Sequence, residues 1–276
     1  MPEGSNLTMP IQPPVNVIII GGAEDKENDK LILAKVFQAA GGLKARILIV
    51  PTASAEPELL GAVYEQLFIE MGAQSVVVLD LTTRAQADLP EMEWRLKQAT
   101  CVFLTGGDQV RLTTILAHTR FSRVLRQLWE EHRLLIAGTS AGASALGSCM
   151  IAWGTSGESP SRSIVELATG MGLLPSLIID QHFFNRNRLA RLIAAVAAHP
   201  TYLGMGIDEN TAVLLGAEGL FEVVGEGAVT IVDGSHLTYS NALYLSEEAP
   251  LSVCDLKVHI LVHQARYHIG KRQVLR

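Results

Sequence analysis

Five unbroken apolar runs punctuate the first half of the chain: VNVIIIGG (15–22), ARILIVPTAS (45–54), SVVVLDL (75–81), CVFLTGGD (101–108) and LLIAGTS (134–140). VNVIIIGG, a continuous apolar run ending in glycines, predicts a buried strand, and the other four runs read as strands too. Between them lie segments of helical period. NDKLILAKVFQAAGG places Leu31, Ala34, Val36 and Phe37 for one helix face, with Gly41 as its stop, and PELLGAVYEQLFIEMG closes on Gly72. QVRLTTILAH and FSRVLRQLWEEH follow the fourth run, and small residues after the fifth start a further helix. Strands alternating with helices of this length demand right-handed crossovers and a parallel sheet. The expected class is therefore α/β, a mostly parallel sheet flanked by helices.

After Ser148 the pattern loosens. WGTSGESPSRS (153–163) reads as a surface loop, SLIIDQH (176–182) as a strand, and RNRLARLIAAVAAH (186–199) as a helix closed by Pro200. From YLGMGIDENTAVLL (202–215) onward, short apolar runs and turns predict antiparallel strands added toward the C-terminus. The basic run from Arg266 to Arg276 is left as a tail, an edge strand or part of an interface. Residues 1–14 are expected to form a flexible tail and residues 15–276 a single α/β domain, with no repeat or linker inside it.

The 48% apolar share supports a large core in 276 residues. A net charge of −6 argues against nucleic acid as a partner, because phosphate neutralisation needs a basic surface. No apolar run approaches the ~20 residues that cross a bilayer, and the N-terminus lacks the basic and apolar regions of a secretory signal. Cys101, Cys149 and Cys254 lie far apart without a disulfide framework, so a reducing cytoplasm is expected.

Ligands of open α/β sheets gather at the carboxyl ends of strands. Four polar stretches fall at such ends, GGAED, TGGDQ, GTSAG and DQHFF, and a sheet of this kind would bring them to one edge. In GTSAG, Ser140 fits the G-x-S-x-G elbow, in which small neighbours permit a sharp strand-to-helix turn that displays the hydroxyl. A serine needs a base. Of eight histidines, His118, His132 and His199 fall late in helices, and His259 and His263 share a sheet face at a spacing that gives little support to a metal site. His182 alone stands at a buried strand end. GMGIDEN then offers Asp208 or Glu209 to orient it. The order serine, histidine, acid differs from the serine, acid, histidine order of α/β-hydrolases.

Taken together, IIGGAEDK, FLTGGDQ, GTSAGAS, DQHFFNRNRLARL and GIDENTA resemble the cyanophycinase family, serine peptidases related to dipeptidase E. The resemblance spans about residues 15–215, and DQHFFNRNRLARL is its most specific block. It implies a flavodoxin-like fold shared with class I glutamine amidotransferases, a homodimer, and no metal or other cofactor. The implied reaction is exopeptidase cleavage of cyanophycin, a poly-aspartate bearing arginine on each side-chain carboxyl, to β-Asp-Arg.

Carried over to this sequence, the resemblance makes Ser140 the nucleophile, His182 the base and Glu209, rather than Asp208, the acid. Gly107 and Ala141 are expected to supply the oxyanion-hole N–H groups. Arg186, Arg188 and Arg191, read as one short helical segment, are expected to supply carboxylate binders, and Gln109 and Gln181 amide partners. Asp180 would anchor one of these arginines or receive the substrate's, and Ser163 resembles a pocket residue. The competing readings are an aspartyl dipeptidase acting on short Asp-X peptides, a non-catalytic binder of acidic peptides and, more weakly, an amidotransferase. The last expects cysteine where Ser140 stands.

Overall fold

The computed structural model describes residues 15–275 other than 158, 243 and 245–248, so the expected N-terminal tail lies outside the described residues. The five apolar runs form β1 (Val15–Ile20), β2 (Arg46–Val50), β3 (Ser75–Val78), β4 (Cys101–Leu104) and β5 (Leu135–Thr139), all mutually parallel. Helices α1 (Leu31–Ala39) and α2 (Pro57–Glu70) connect the first three strands. The short α3 (Arg84–Ala87) and α4 (Glu91–Gln98), which the periodicity does not announce, lead to β4, and α5 (Gln109–Leu116) and α6 (Arg120–Glu130) lead to β5. His118 and His132 follow these last two helices in the left-handed conformation that ends a helix.

Beyond β5 come the four-residue α7 (Ala141–Ser144), an antiparallel hairpin of β6 (Cys149–Gly154) and β7 (Val165–Thr169), then β8 (Leu177–Gln181), α8 (Leu189–Ala198) and β9 (Leu203–Ile207). The rest is extended: β10 (Thr211–Gly216), β11 (Leu220–Gly225), β12 (Val229–Asp233), β13 (Tyr239–Ser240), β14 (Val253–Cys254), β15 (Lys257–Leu261), β16 (Arg266–His268) and β17 (Gln273–Leu275).

The main sheet has the order β17-β16-β11-β10-β1-β5-β4-β2-β3. Its parallel half runs from β3 to β1, and antiparallel strands extend it from β10 outward. The basic C-terminal run supplies β16 and β17, the edge of this half. The expected antiparallel addition is therefore present, and it is larger than short turns and strands suggest.

A difference from expectation concerns β8. It lies not in the main sheet but in a second one, ordered β15-β12-β9-β8. Leu177 and Ile179 of β8 join Val17, Ile19 and Ile136 of the main sheet in one apolar layer, while Ile178 turns outward onto Leu192 and Val196 of α8. This alternation buries β8 completely between two layers. Its continuous apolar run looks the same as that of a main-sheet strand. On the opposite face of the main sheet, Ile18 and Ile20 pack with Ile32 and Phe37 of α1 and Tyr64 and Phe68 of α2. Among the described residues, no helix is long and apolar enough to cross a membrane.

Candidate active site

The end of β1 is the frame on which the site is built. The Ile20 carbonyl accepts the Ser140 N–H at 3.0 Å, and the next carbonyl, Gly21, accepts the His182 N–H at 2.8 Å. The last carbonyl of β1 and the one just beyond it thus seat the residues that follow β5 and β8, strands of different sheets. Both seated residues have positive φ, +53° for Ser140 and +47° for His182, a conformation that side chains other than glycine rarely adopt.

Ser140 links β5 to α7 with φ 53° and ψ −115°, the sharp turn that its sequence pattern predicts. Small residues are needed here because a Cβ on Gly142 would stand 2.3 Å from the Leu104 carbonyl oxygen. Ser140 Oγ lies 2.9 Å from His182 Nε2, and His182 Nδ1 lies 2.6 Å from Glu209 Oε1. Gly22 lies directly against the imidazole, where a Cβ would come within 2.5 Å of its Cε1 and Nε2. The His182 side chain is 11% exposed and that of Glu209 33%. Burial lowers the His182 pKa, the Glu209 hydrogen bond opposes that fall, and the positive Arg186 adds to it. The net direction is downward, so the imidazole is neutral at pH 7 and available to take a proton.

The two neighbouring acids have separate surroundings. Asp208 Oδ1 accepts the Phe184 N–H at 2.9 Å, and its Oδ2 accepts the Ala228 N–H at 2.9 Å. Asp208 therefore ties loops together, while Glu209 faces the histidine. Glu209's own N–H donates to Asn185 Oδ1 at 3.1 Å.

The Gly106–Gly107 turn after β4 abuts the serine, since a Cβ at Gly106 would lie 3.6 Å from Ser140 Oγ. Gly107 has φ +139° and Ala141 opens α7, where the first N–H groups have no carbonyl of their own helix to meet. Gln181 is buried with its Oε1 3.3 Å from Ser140 Oγ. Gln109 directs its amide nitrogen to the Ile151 and Ala152 carbonyls of β6, at 2.8 and 3.1 Å.

The arginines are not one helical segment. Arg186 ends a 3-10 turn, Asn187 breaks it in the left-handed conformation that asparagine tolerates, and α8 begins only after Arg188. Arg191 grips Asp180 with two nitrogens, Nε to Oδ2 at 2.7 Å and Nη2 to Oδ1, and reaches the Gly154 carbonyl at 3.2 Å. Arg188 donates Nη1 to the Gln181 carbonyl and lies 3.5 Å from Asp180 Oδ1, with its buried Nε unpartnered. Burial, with Arg191 and Arg186 nearby, lowers the Arg188 pKa to about 10 against the pull of Asp180, which leaves it charged at neutral pH. Arg186 is exposed.

Ser163 lies apart from this group. With Ser161, Glu166 and His199 it lines a cavity of about 610 Å³ whose lining includes none of Ser140, His182 and Glu209. Two site-shaping residues escape the sequence reading, Asn185 and Asn210. Asn210 Oδ1 accepts the Asp25 N–H at 2.9 Å and so joins the GGAED and GIDEN loops. Their positions inside the two motif blocks are the signal that could have found them.

Comparisons with known proteins give the family and the fold. Residues 17–223 match the model of peptidase family S51. The chain is 48% identical to the cyanophycinase of Nostoc sp. over 94% of its own length and 87% of that protein's. It is 45% identical to the cyanophycinase of Geminocystis herdmanii over 92% and 93%. Among solved structures, a peptidase from an acI-B1 actinobacterium is similar at TM-score 0.61 and 25% identity, covering 79% of this chain and 90% of that one. A putative peptidase E protein from Listeria monocytogenes shares the fold at TM-score 0.51 and 17% identity, over 77% and 98%. This chain belongs to peptidase family S51.

Proposed function

We propose that the protein hydrolyses cyanophycin as a serine-type exopeptidase and releases β-Asp-Arg. The observation that carries this reading is the 2.9 and 2.6 Å relay from Ser140 through His182 to Glu209, in a chain 48% identical to cyanophycinases over 94% of its length. His182 Nε2 takes the Ser140 proton as Oγ bonds to the penultimate backbone carbonyl carbon, and Glu209 steadies the imidazolium. The N–H groups of Gly107 and Ala141 hold the oxyanion. As the tetrahedral adduct collapses, the C–N bond breaks and His182 passes its proton to the departing amine of the dipeptide. Water then attacks the ester, with its proton taken by His182, and Ser140 is restored as the acid product leaves.

Around this centre, Arg186 and Arg188 bind the carboxylates of the terminal unit, while Asp180 and Arg191 hold Arg188 and Gln181 in place. Gln181 and Gln109 contact substrate amides, and Ser163 meets a more distant unit. The protein works as a homodimer in the cytoplasm. Exposed Val258, Ile260 and Val262, spaced by two along the edge strand β15 and just beyond it, support a self-association surface, and the free cysteines support a reducing compartment. Incubation with cyanophycin, with products identified by mass spectrometry beside a Ser140→Ala control, tests the reading. Release of β-Asp-Arg by the parent alone is expected. Cleavage of short Asp-X peptides with the polymer untouched would replace it by a dipeptidase.

A further inference from the structure

The acyl transfer gives no task to the GGAED segment, yet that loop borders His182 and holds the residues next to Ser140 and Glu209. Its Gly21 carbonyl holds the His182 N–H, its Gly22 faces the imidazole, and its Gly22 carbonyl accepts the Asn210 N–H at 3.0 Å, one residue beyond Glu209. At the loop's centre is Glu24, a carboxylate only 3% exposed. Burying such a group is costly unless its oxygens find donors. Glu24 Oε2 accepts the Thr139 hydroxyl at 2.6 Å, and Oε1 accepts Lys26 Nζ at 3.0 Å together with the Tyr64 hydroxyl from α2. Lys26 Nζ also stands 5.1 Å from the centre of the Tyr64 ring.

Thr139 is the residue immediately before Ser140, whose backbone conformation is strained. Strain of that kind persists only where the surroundings over-determine it. The Ile20 carbonyl fixes the serine from its own N–H, and the Glu24–Thr139 contact fixes the peptide from the preceding side. We infer that Glu24 is a positioning residue: a buried carboxylate that locks the nucleophile's turn through Thr139 while holding its own loop against His182. This inference rests on the reading of Ser140 as nucleophile and His182 as base.

A role confined to filling space between β5 and the GGAED loop would tolerate any side chain of the right shape at 139. Positioning through Glu24 requires the hydroxyl. Thr139→Val keeps the shape and removes it, and Thr139→Ser keeps it on a smaller side chain. The parent, both variants, Glu24→Gln and Ser140→Ala are assayed on cyanophycin, with kcat and KM separated and melting temperature recorded. Thr139→Val is expected to lose about 10- to 100-fold in kcat with KM changed less than about twofold, the range that a displaced catalytic group produces. Thr139→Ser should recover most of that loss, and Glu24→Gln should fall on the side of Thr139→Val. If Glu24→Gln fails to fold, the Thr139 pair still decides. Parent-like turnover in Thr139→Val, a loss confined to KM, or equal impairment in the serine and valine variants overturns the assignment while a silent Ser140→Ala leaves the serine mechanism standing. Activity surviving in Ser140→Ala sinks that mechanism and takes the Glu24 role with it.

Discussion

Two carboxylate-centred clusters in this molecule do opposite things with their charge. In one, Glu209 is a third exposed, takes a single contact to His182, and leaves the imidazole free to change its protonation. In the other, Asp180 is 1% exposed and receives two nitrogens of Arg191, with Arg188 close by. The first arrangement suits a group that must gain and lose charge within each turnover. The second is a buried ion cluster in which one carboxylate is shared by two guanidinium groups, tying the end of β8 to the start of α8. What separates them is the number of partners and the access of water, not the identity of the carboxylate. Motif spacing cannot report either quantity, so the arginines of DQHFFNRNRLARL look equivalent in the sequence and differ in the structure.

The sharpest way to break this contrast is at the reactive end. Ser140→Ala should reduce turnover by up to about 10⁶-fold while substrate binding persists, read by single-turnover kinetics beside a binding assay. Glu209→Gln is expected to cost about 10⁴-fold in kcat, by analogy with loss of a triad carboxylate. Asp208→Asn, which disturbs loop ties alone, should cost far less activity. If the two acids lost activity equally, the division of labour between them would fail. In the buried cluster the effect should appear as stability: Asp180→Ala strands two buried guanidinium groups and should lower the unfolding free energy by about 3–5 kcal/mol, measured by urea titration. A smaller cost would show that water reaches the cluster.

The subtlest test is pH. Because burial lowers the His182 pKa, kcat/KM should rise with increasing pH through a midpoint below the usual 6.5. Arg186 contributes to that depression, so Arg186→Ala should move the acid limb upward. A downward move would mean that Arg186 acts on the imidazole other than through its charge.

Much of this was legible in the chain itself. The parallel half of the main sheet follows from short apolar runs such as VNVIII and CVFL alternating with segments of helical period. The meeting of Ser140 with His182 follows from motifs placed at strand ends. Assignment of β8 to a second sheet does not, because LIIDQ carries no mark of which strand it will pair with. The choice between Asp208 and Glu209 turns on one local bend that the residues alone leave open and that only the family resemblance decides. The helices α3 and α4 went unread because their apolar contribution is confined to Ala87, Met92 and Leu96. Arg191's burial was hidden by its place in a helix that also carries an exposed Leu189.

The placement of β1 has a further consequence, for synthesis rather than catalysis. Its parallel neighbour β5 ends at residue 139, but the strand that covers its other edge, β10, begins only at Thr211. At about 5–20 residues per second, the ribosome needs roughly 10–40 s to travel from the end of β1 to that point. Throughout this interval VNVIII carries an unpaired apolar edge, the form of chain most prone to pair with a stranger. The strand whose end later seats Ser140 thus waits longest between its two partners, and slowed translation between residues 140 and 211 should lower the soluble yield before it affects any property of the finished enzyme.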